Sequence, residues 1–141
     1  MILFYAEIDV HKHVVKKNNR DIFKNKRTGR VFPGKSNELR NMEAQLFFEI
    51  KRKWHGGAPI KKYINAKFTF VFTEEKFYTK KSVINKALPD MSNLYQIVED
   101  CLQKAGVIYN DHFIASHDGS RRCSGNETKL IIELQDCDES L

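Results

Sequence analysis

The sequence predicts an α+β domain in which two main helices pack on a small mixed β-sheet. Three patterns lead there. Two stretches, Ile2–Val10 and Ile60–Thr73, carry apolar residues at alternate positions, as a half-buried strand requires. Two others, Leu39–Trp54 and Leu94–Ala105, repeat them every three or four positions, as an amphipathic helix requires. Short strand-like pieces at Phe113–Ser116 and Lys129–Leu134 follow the second helix.

Taken in order, Ile2, Phe4, Ala6, Ile8 and Val10 place one face of the first strand in a core. No basic residue precedes this apolar stretch and no small-residue cleavage site follows it, so it reads as a strand and not as a signal peptide. An intracellular, cytoplasmic protein is expected. The segment from Lys16 to Lys35 holds two turn signals, Arg27-Thr28-Gly29-Arg30 and Pro33-Gly34, around β-prone pieces. It predicts a basic hairpin or an extended loop. Ser36 reads as the N-cap of the first helix, whose stripe is Leu39, Met42, Leu46, Phe47, Ile50 and Trp54, and Gly56-Gly57 stops it. Ile64, Ala66, Phe68, Phe70 and Phe72 share a face of the next strand. The stretch from Glu74 to Leu88 is polar and lysine-rich, without clear periodicity. Ser92 reads as the second N-cap; Leu94, Ile97, Val98, Cys101, Leu102 and Ala105 form the buried stripe, and Gly106 ends the helix. Asp118–Asn126 is turn-rich and joins the last two strands.

At 141 residues the chain predicts a single domain over 1–141, with one genuine core. No apolar run is long enough to span a bilayer, and no membrane partner is expected. Cys101, Cys123 and Cys137 form no CxxC pair, so neither a zinc ribbon nor a disulfide framework is encoded. The formal charge of +6 suits a polyanionic partner. It is concentrated in the basic loop at about 12–35, where Lys12, Lys16, Lys17, Arg20, Lys24, Lys26, Arg27, Arg30 and Lys35 face a single acid, Asp21. The tail from Glu133 to Leu141 is acidic. The basic segment is either a phosphate-tracking surface or a solvated loop.

The stretch Pro89–Arg122 carries the chemistry. Asp90 precedes the second helix and Asp111 follows it after a glycine turn; Asp100, beside Glu99, lies on the helix itself. A strand running back along the helix would bring its two ends together. Carboxylates gathered in a basic protein make sense as oxygen ligands for Mg²⁺. The competing reading is structural: Asp90 and Asp111 as turn or capping residues, Asp100 as a surface acid paired with Lys104.

The residues Pro89-Asp90-Met-Ser92-Asn93-Leu94, then Glu99-Asp100-Cys-Leu102, Ala105-Gly106 and Asn110-Asp111-His-Phe-Ile114, run without a gap over about thirty positions. They resemble the pattern of the RusA Holliday junction resolvases: Asp-x-Asp-Asn-Leu-x-Lys, Asp-Ala-Leu, a Gly, then Asp-Asp-x-x-Val/Ile. Lys16–Asn19 and the pair Arg121/Arg122 fit the family's layout more loosely.

The resemblance implies a RusA-like fold and a homodimer that binds four-way junction DNA. It further implies paired, symmetric nicks made with Mg²⁺, for which Mn²⁺ can substitute, and a family often borne by phages or prophages. Asp90 and Asp111 match metal-ligand positions, Asp100 the helix aspartate and Asn93 the motif asparagine. Lys16, Lys17, Arg20, Lys24, Lys26, Arg27, Arg30, Arg121 and Arg122 are the expected DNA contacts. Three positions depart from the pattern: Ser92 replaces its second aspartate, Gln96 its lysine and Asn110 the first of its later aspartate pair. A serine hydroxyl is a weaker ligand than a carboxylate, so one metal-binding charge is missing.

Among other candidates, His11 and His13 share a strand face as a metal pair or a solvated edge. His112 and His117 flank the acidic stretch, as proton shuttles or neutral surface groups. Ser120 and Cys123 lack a triad-like partner. Phe47, Phe48, Phe68, Phe70 and Phe72 read as core or dimer contacts. Two other classes of function compete with the nuclease: a catalytically weakened junction- or single-strand-binding protein on the same fold, and a module whose basic arm docks an acidic protein. Aspartates beside phosphates repel them unless a metal neutralises the charge, which favours the nuclease.

Overall fold

A computed structural model describes residues 1–10, 20–35, 37–74, 78 and 90–137. The central sheet is mixed, in the order β1 (Ile2–Asp9), β7 (Lys129–Asp136), β4 (Ile64–Thr73), then β5 (Ile114–Ser116) and β6 (Arg121–Gly125), which pair one after the other along the far edge of β4. β7 is antiparallel to both β1 and β4, whereas β5 and β6 run parallel to β4. The helices α1 (Asn37–Lys53) and α2 (Met91–Lys104) supply the other half of the core. This is the α+β architecture the periodicities predict.

Register explains why one face of the sheet is fully apolar. Side chains alternate across a strand, and the pairing aligns three buried rungs: Phe4–Leu134–Ala66, Ala6–Ile132–Phe68 and Ile8–Leu130–Phe70. The first two rungs each set one alanine against larger side chains. The helical stripes Leu39, Met42, Leu46, Ile50 and Leu94, Ile97, Val98, Cys101, Leu102 close over all three. The opposite face of the same strands carries Tyr5, Glu7 and Asp9 beside Glu133, Ile131 and Lys129. A one-residue slip would exchange the two faces.

Several boundaries differ from expectation. β4 begins at Ile64 and not at Ile60, which instead forms an isolated parallel bridge to Ile108. The phenylalanines of β4 are no interface: Phe68, Phe70 and Phe72 are buried in the chain's own core, in one cluster with the apolar stripes of the two helices. Phe47 and Phe48 do not join that core and are 37% and 64% exposed. Asp90, not Ser92, caps α2, since the helix starts at Met91 and leaves Ser92 inside its first turn. A 3-10 turn, Asp111–Phe113, precedes β5, so Phe113 is not in a strand. Arg121–Gly125, expected as turn, is the strand β6. Gly106 ends α2 as expected: Ala105 is the C-cap and Gly106 takes φ +78°, the left-handed conformation that glycine adopts without a side-chain clash. The expected N-cap Ser36 and the pair His11/His13 lie outside the described residues.

The basic segment contains a hairpin, β2 (Arg20–Lys24) with β3 (Val31–Lys35), forming a sheet of its own. Asn25 builds its turn: Oδ1 accepts from the backbone N–H groups of Arg27 and Thr28, and Gly29 at φ +72° donates to the Asn25 carbonyl. Lys24, Lys26, Arg27 and Arg30 are exposed on it.

Candidate nuclease site

The site is built around α2. Asp90 has extended backbone angles, φ −71° and ψ 165°, and its Oδ1 accepts from the Asn93 backbone N–H at 2.9 Å and from Asn93 Nδ2 at 2.8 Å. The first bond satisfies a helix-end donor that has no intrahelical acceptor; the second fixes the carboxylate's rotation. Asn93 is therefore the residue that orients Asp90. Both the capping reading and the chemical one are compatible with this geometry, because Asp90 is exposed to solvent.

Asp111 lies beyond the other end. Its backbone N–H donates to Gln103 Oε1 at 3.2 Å, in the last turn of α2, and the side chain of Asn110 accepts from His112 N–H and caps the 3-10 turn that Asp111 opens. Asp111 is exposed as well. With a rise of about 1.5 Å per residue, the anchor points Asp90 and Gln103 are about 20 Å apart along the helix. Asp100 sits half-buried in the second half of α2.

What returns along α2 is the chain after Asp111. β5 carries it back to His117, whose ring stacks on Tyr95 with centroids 4.1 Å apart and 15° between planes. His117 Nε2 meets Glu99 Oε1 at 2.8 Å and Nδ1 meets the Ala66 carbonyl at 2.8 Å. A carbonyl and a carboxylate only accept, so both contacts are hydrogen bonds when the ring carries a proton on each nitrogen, and this geometry favours the imidazolium. Burial works against that charge, but the Glu99 hydrogen bond, the Ala66 carbonyl and the Glu99 charge together raise the His117 pKa above its ordinary value. His117 is thus half-buried and held at both ring nitrogens, not a free surface group.

This loop also completes the sheet. Between the end of β5 and the start of β6, the far edge of β4 has no strand neighbour at Ala66 to Phe68 among the described residues. Side chains take over: Ser120 Oγ donates to the Ala66 carbonyl and accepts from Phe68 N–H. Asn65 Oδ1 accepts from Ser116 Oγ and Asp118 N–H, and Asn65 Nδ2 donates to the Asp118 carbonyl. Ser120 is therefore a stitching residue. Arg121 is exposed opposite Thr69, and Arg122 is half-buried beside Phe70.

Mg²⁺ takes one or two carboxylates together with water and phosphate oxygens. Among the described residues no three His, Cys, Asp or Glu side chains gather in a group that could hold a metal ion. The expected carboxylates thus form no closed ligand set within one described chain. Of the expected DNA contacts, Lys24, Lys26, Arg27 and Arg30 share the hairpin while Arg121 and Arg122 lie on β6; Lys16 and Lys17 fall outside the described residues, as does the side chain of Arg20. The pairing of Glu99 with His117 escaped the sequence, since eighteen positions separate them and only the return of β5 brings them together.

No helix among the described residues is long and apolar enough to cross a membrane. No curated protein matches the chain. A family model described as Endodeoxyribonuclease RusA matches residues 13–135, a span that holds both helices and all of β2 to β6. The residue pattern around α2, the mixed sheet beneath it and this match agree, and the chain belongs to the RusA family of endodeoxyribonucleases.

Proposed function

We propose that the chain is a structure-selective DNA endonuclease that resolves four-way junctions by paired, symmetric nicks and depends on Mg²⁺. The family match over residues 13–135 carries the reading. Asp90, Asp100 and Asp111 keep the motif's intervals and are the proposed hydrolytic residues, and the exposed bases of the hairpin supply phosphate contacts. Cutting two opposed strands requires two sites, so the working unit is a two-fold homodimer. The substitution of Ser92 and the absence of a three-carboxylate group among the described residues favour a second reading, a weakened enzyme that binds junctions without cutting them.

A labelled four-way junction, incubated with the protein in Mg²⁺ or in EDTA, separates the two. Paired nicks in Mg²⁺ alone support the nuclease. Stable complexes with intact strands in both conditions support the binding protein and overturn the nuclease.

A further inference from the structure

The parallel approach of two segments places an exposed aromatic edge beside Asp111. Ile60 N–H donates to the Val107 carbonyl and Tyr109 N–H donates to the Ile60 carbonyl, so the chain before β4 runs alongside the chain after α2. Ile64 then pairs with Ile114 in the same direction. This ladder puts Lys61 against Tyr109 and Tyr63 against Phe113, on either side of Asp111 along the sequence. Tyr63 is 55% exposed and Tyr109 56%.

Both rings are held in place although they face solvent. Tyr63 and Phe113 meet at 6.0 Å with 62° between planes, and Phe113 in turn packs on the His112 ring at 4.4 Å. The Tyr63 carbonyl accepts from Cys137 N–H. Lys61 Nζ lies 4.5 Å from the Tyr109 ring centre, over one face, and the residue as a whole remains 56% exposed. Lys62 bridges to Asp136 at 2.5 Å, which offsets an acid at this edge.

We propose that Tyr63 and Tyr109 form a stacking platform for unpaired DNA bases, with Lys61 holding the adjoining phosphate. A fixed, exposed aromatic ring takes any base, since every base has a π face, and stacking removes apolar surface of both partners from water. A duplex keeps its bases stacked on each other and offers the platform nothing, whereas the opened strands near a branch point offer unstacked bases. Lys62 is paired with Asp136, and the exposed Asp111 lies in the turn between Tyr109 and Phe113. The edge therefore has little net positive charge; stacking supplies the affinity, and the platform's salt dependence is small. The inference rests on the reading of this chain as a protein that acts on DNA, and assigns to it a place for strands that have lost their partner.

The test uses the full chain with a short single strand carrying 2-aminopurine, the matching duplex and a four-way junction. In the wild type, single-strand binding quenches the 2-aminopurine. Tyr63→Leu with Tyr109→Leu is expected to abolish the quenching and to weaken single-strand binding by about tenfold or more, the size of base–aromatic stacking. Duplex binding stays within about twofold. Tyr63→Phe with Tyr109→Phe, which keeps the rings, retains both signals and shows that the site survives. Unquenched fluorescence in the wild type, unchanged single-strand binding in the leucine variant, or an equal weakening on duplex overturns the platform. If the wild type cuts the junction and one of those results is obtained, the platform fails and the nuclease stands. If the tyrosine dependence holds and no junction is cut, the nuclease fails and the platform stands.

Discussion

His117 joins α2 to the central sheet: one ring nitrogen meets Glu99 Oε1 and the other the carbonyl of Ala66, each at 2.8 Å. The ring spans the stretch of β4 that neither β5 nor β6 covers. The strength of this link therefore depends on the ring's charge.

Because folding raises the His117 pKa, its contribution to stability is fully present below the unfolded value of about 6.5. It declines as pH rises through the folded pKa. Thermal unfolding of the wild type should show this decline, and Glu99→Gln should flatten it. His117→Ala should cost about 2 kcal/mol at low pH, the scale of a hydrogen bond to a charged partner. Identical pH profiles for wild type and Glu99→Gln would show that the ion pair does not carry the pH dependence.

Asp90 caps α2, and substitution can separate that cap from the catalytic role proposed for its carboxylate. Asparagine caps a helix about as well as aspartate, so Asp90→Asn should leave stability within about 0.5 kcal/mol, whereas Asp90→Ala should lower it by about 1 kcal/mol. Both remove the carboxylate, and both should abolish Mg²⁺-dependent cleavage while junction binding holds or strengthens. Asp111→Asn should do the same to cleavage. Normal cleavage by both asparagine variants would dismiss the proposed acidic site.

The basic segment is tested through salt. Replacing Lys16, Lys17 and Arg20 with alanine should weaken junction binding and flatten the dependence of log K on log salt, by about 0.9 for each phosphate that is no longer neutralised. An unaltered slope in a binding titration would make the segment a solvated loop.

A homodimer needs an apolar surface, and the buried rings of β4 are not it. On α1, Phe48 is 64% exposed and Phe47 37%, which makes this helix the place to perturb. A dimer should sediment in the wild type at micromolar concentration, and Phe48→Glu should shift it towards monomer. A wild type that is monomeric, free and on a junction, would refute paired cutting by one assembly.

Periodicity by itself determined both helices and the strands β1, β4 and β7, because an element that buries one face must repeat its apolar residues at its own period. The stripe Leu94, Ile97, Val98, Cys101, Leu102 and Ala105 is such a repeat, and every member is buried. The residues of the RusA pattern were equally legible, since their intervals are set along a single helix and the turn after it. Strand β6 was not: Arg121, Arg122, Cys123, Ser124 and Gly125 carry no alternation, and only pairing with β4 makes them a strand. The choice of Asp90 over Ser92 as N-cap depended on where the first helical turn closed, a matter of two residues that propensity does not resolve, since both types cap well. Tertiary structure alone decided that Glu99 meets His117 and that Tyr63 and Tyr109 share an edge with Asp111. Those arrangements depend on the register of β4 against β5 and on the bridge from Ile60 to Ile108. Register is a property of two chain segments together, and no pattern within either one contains it.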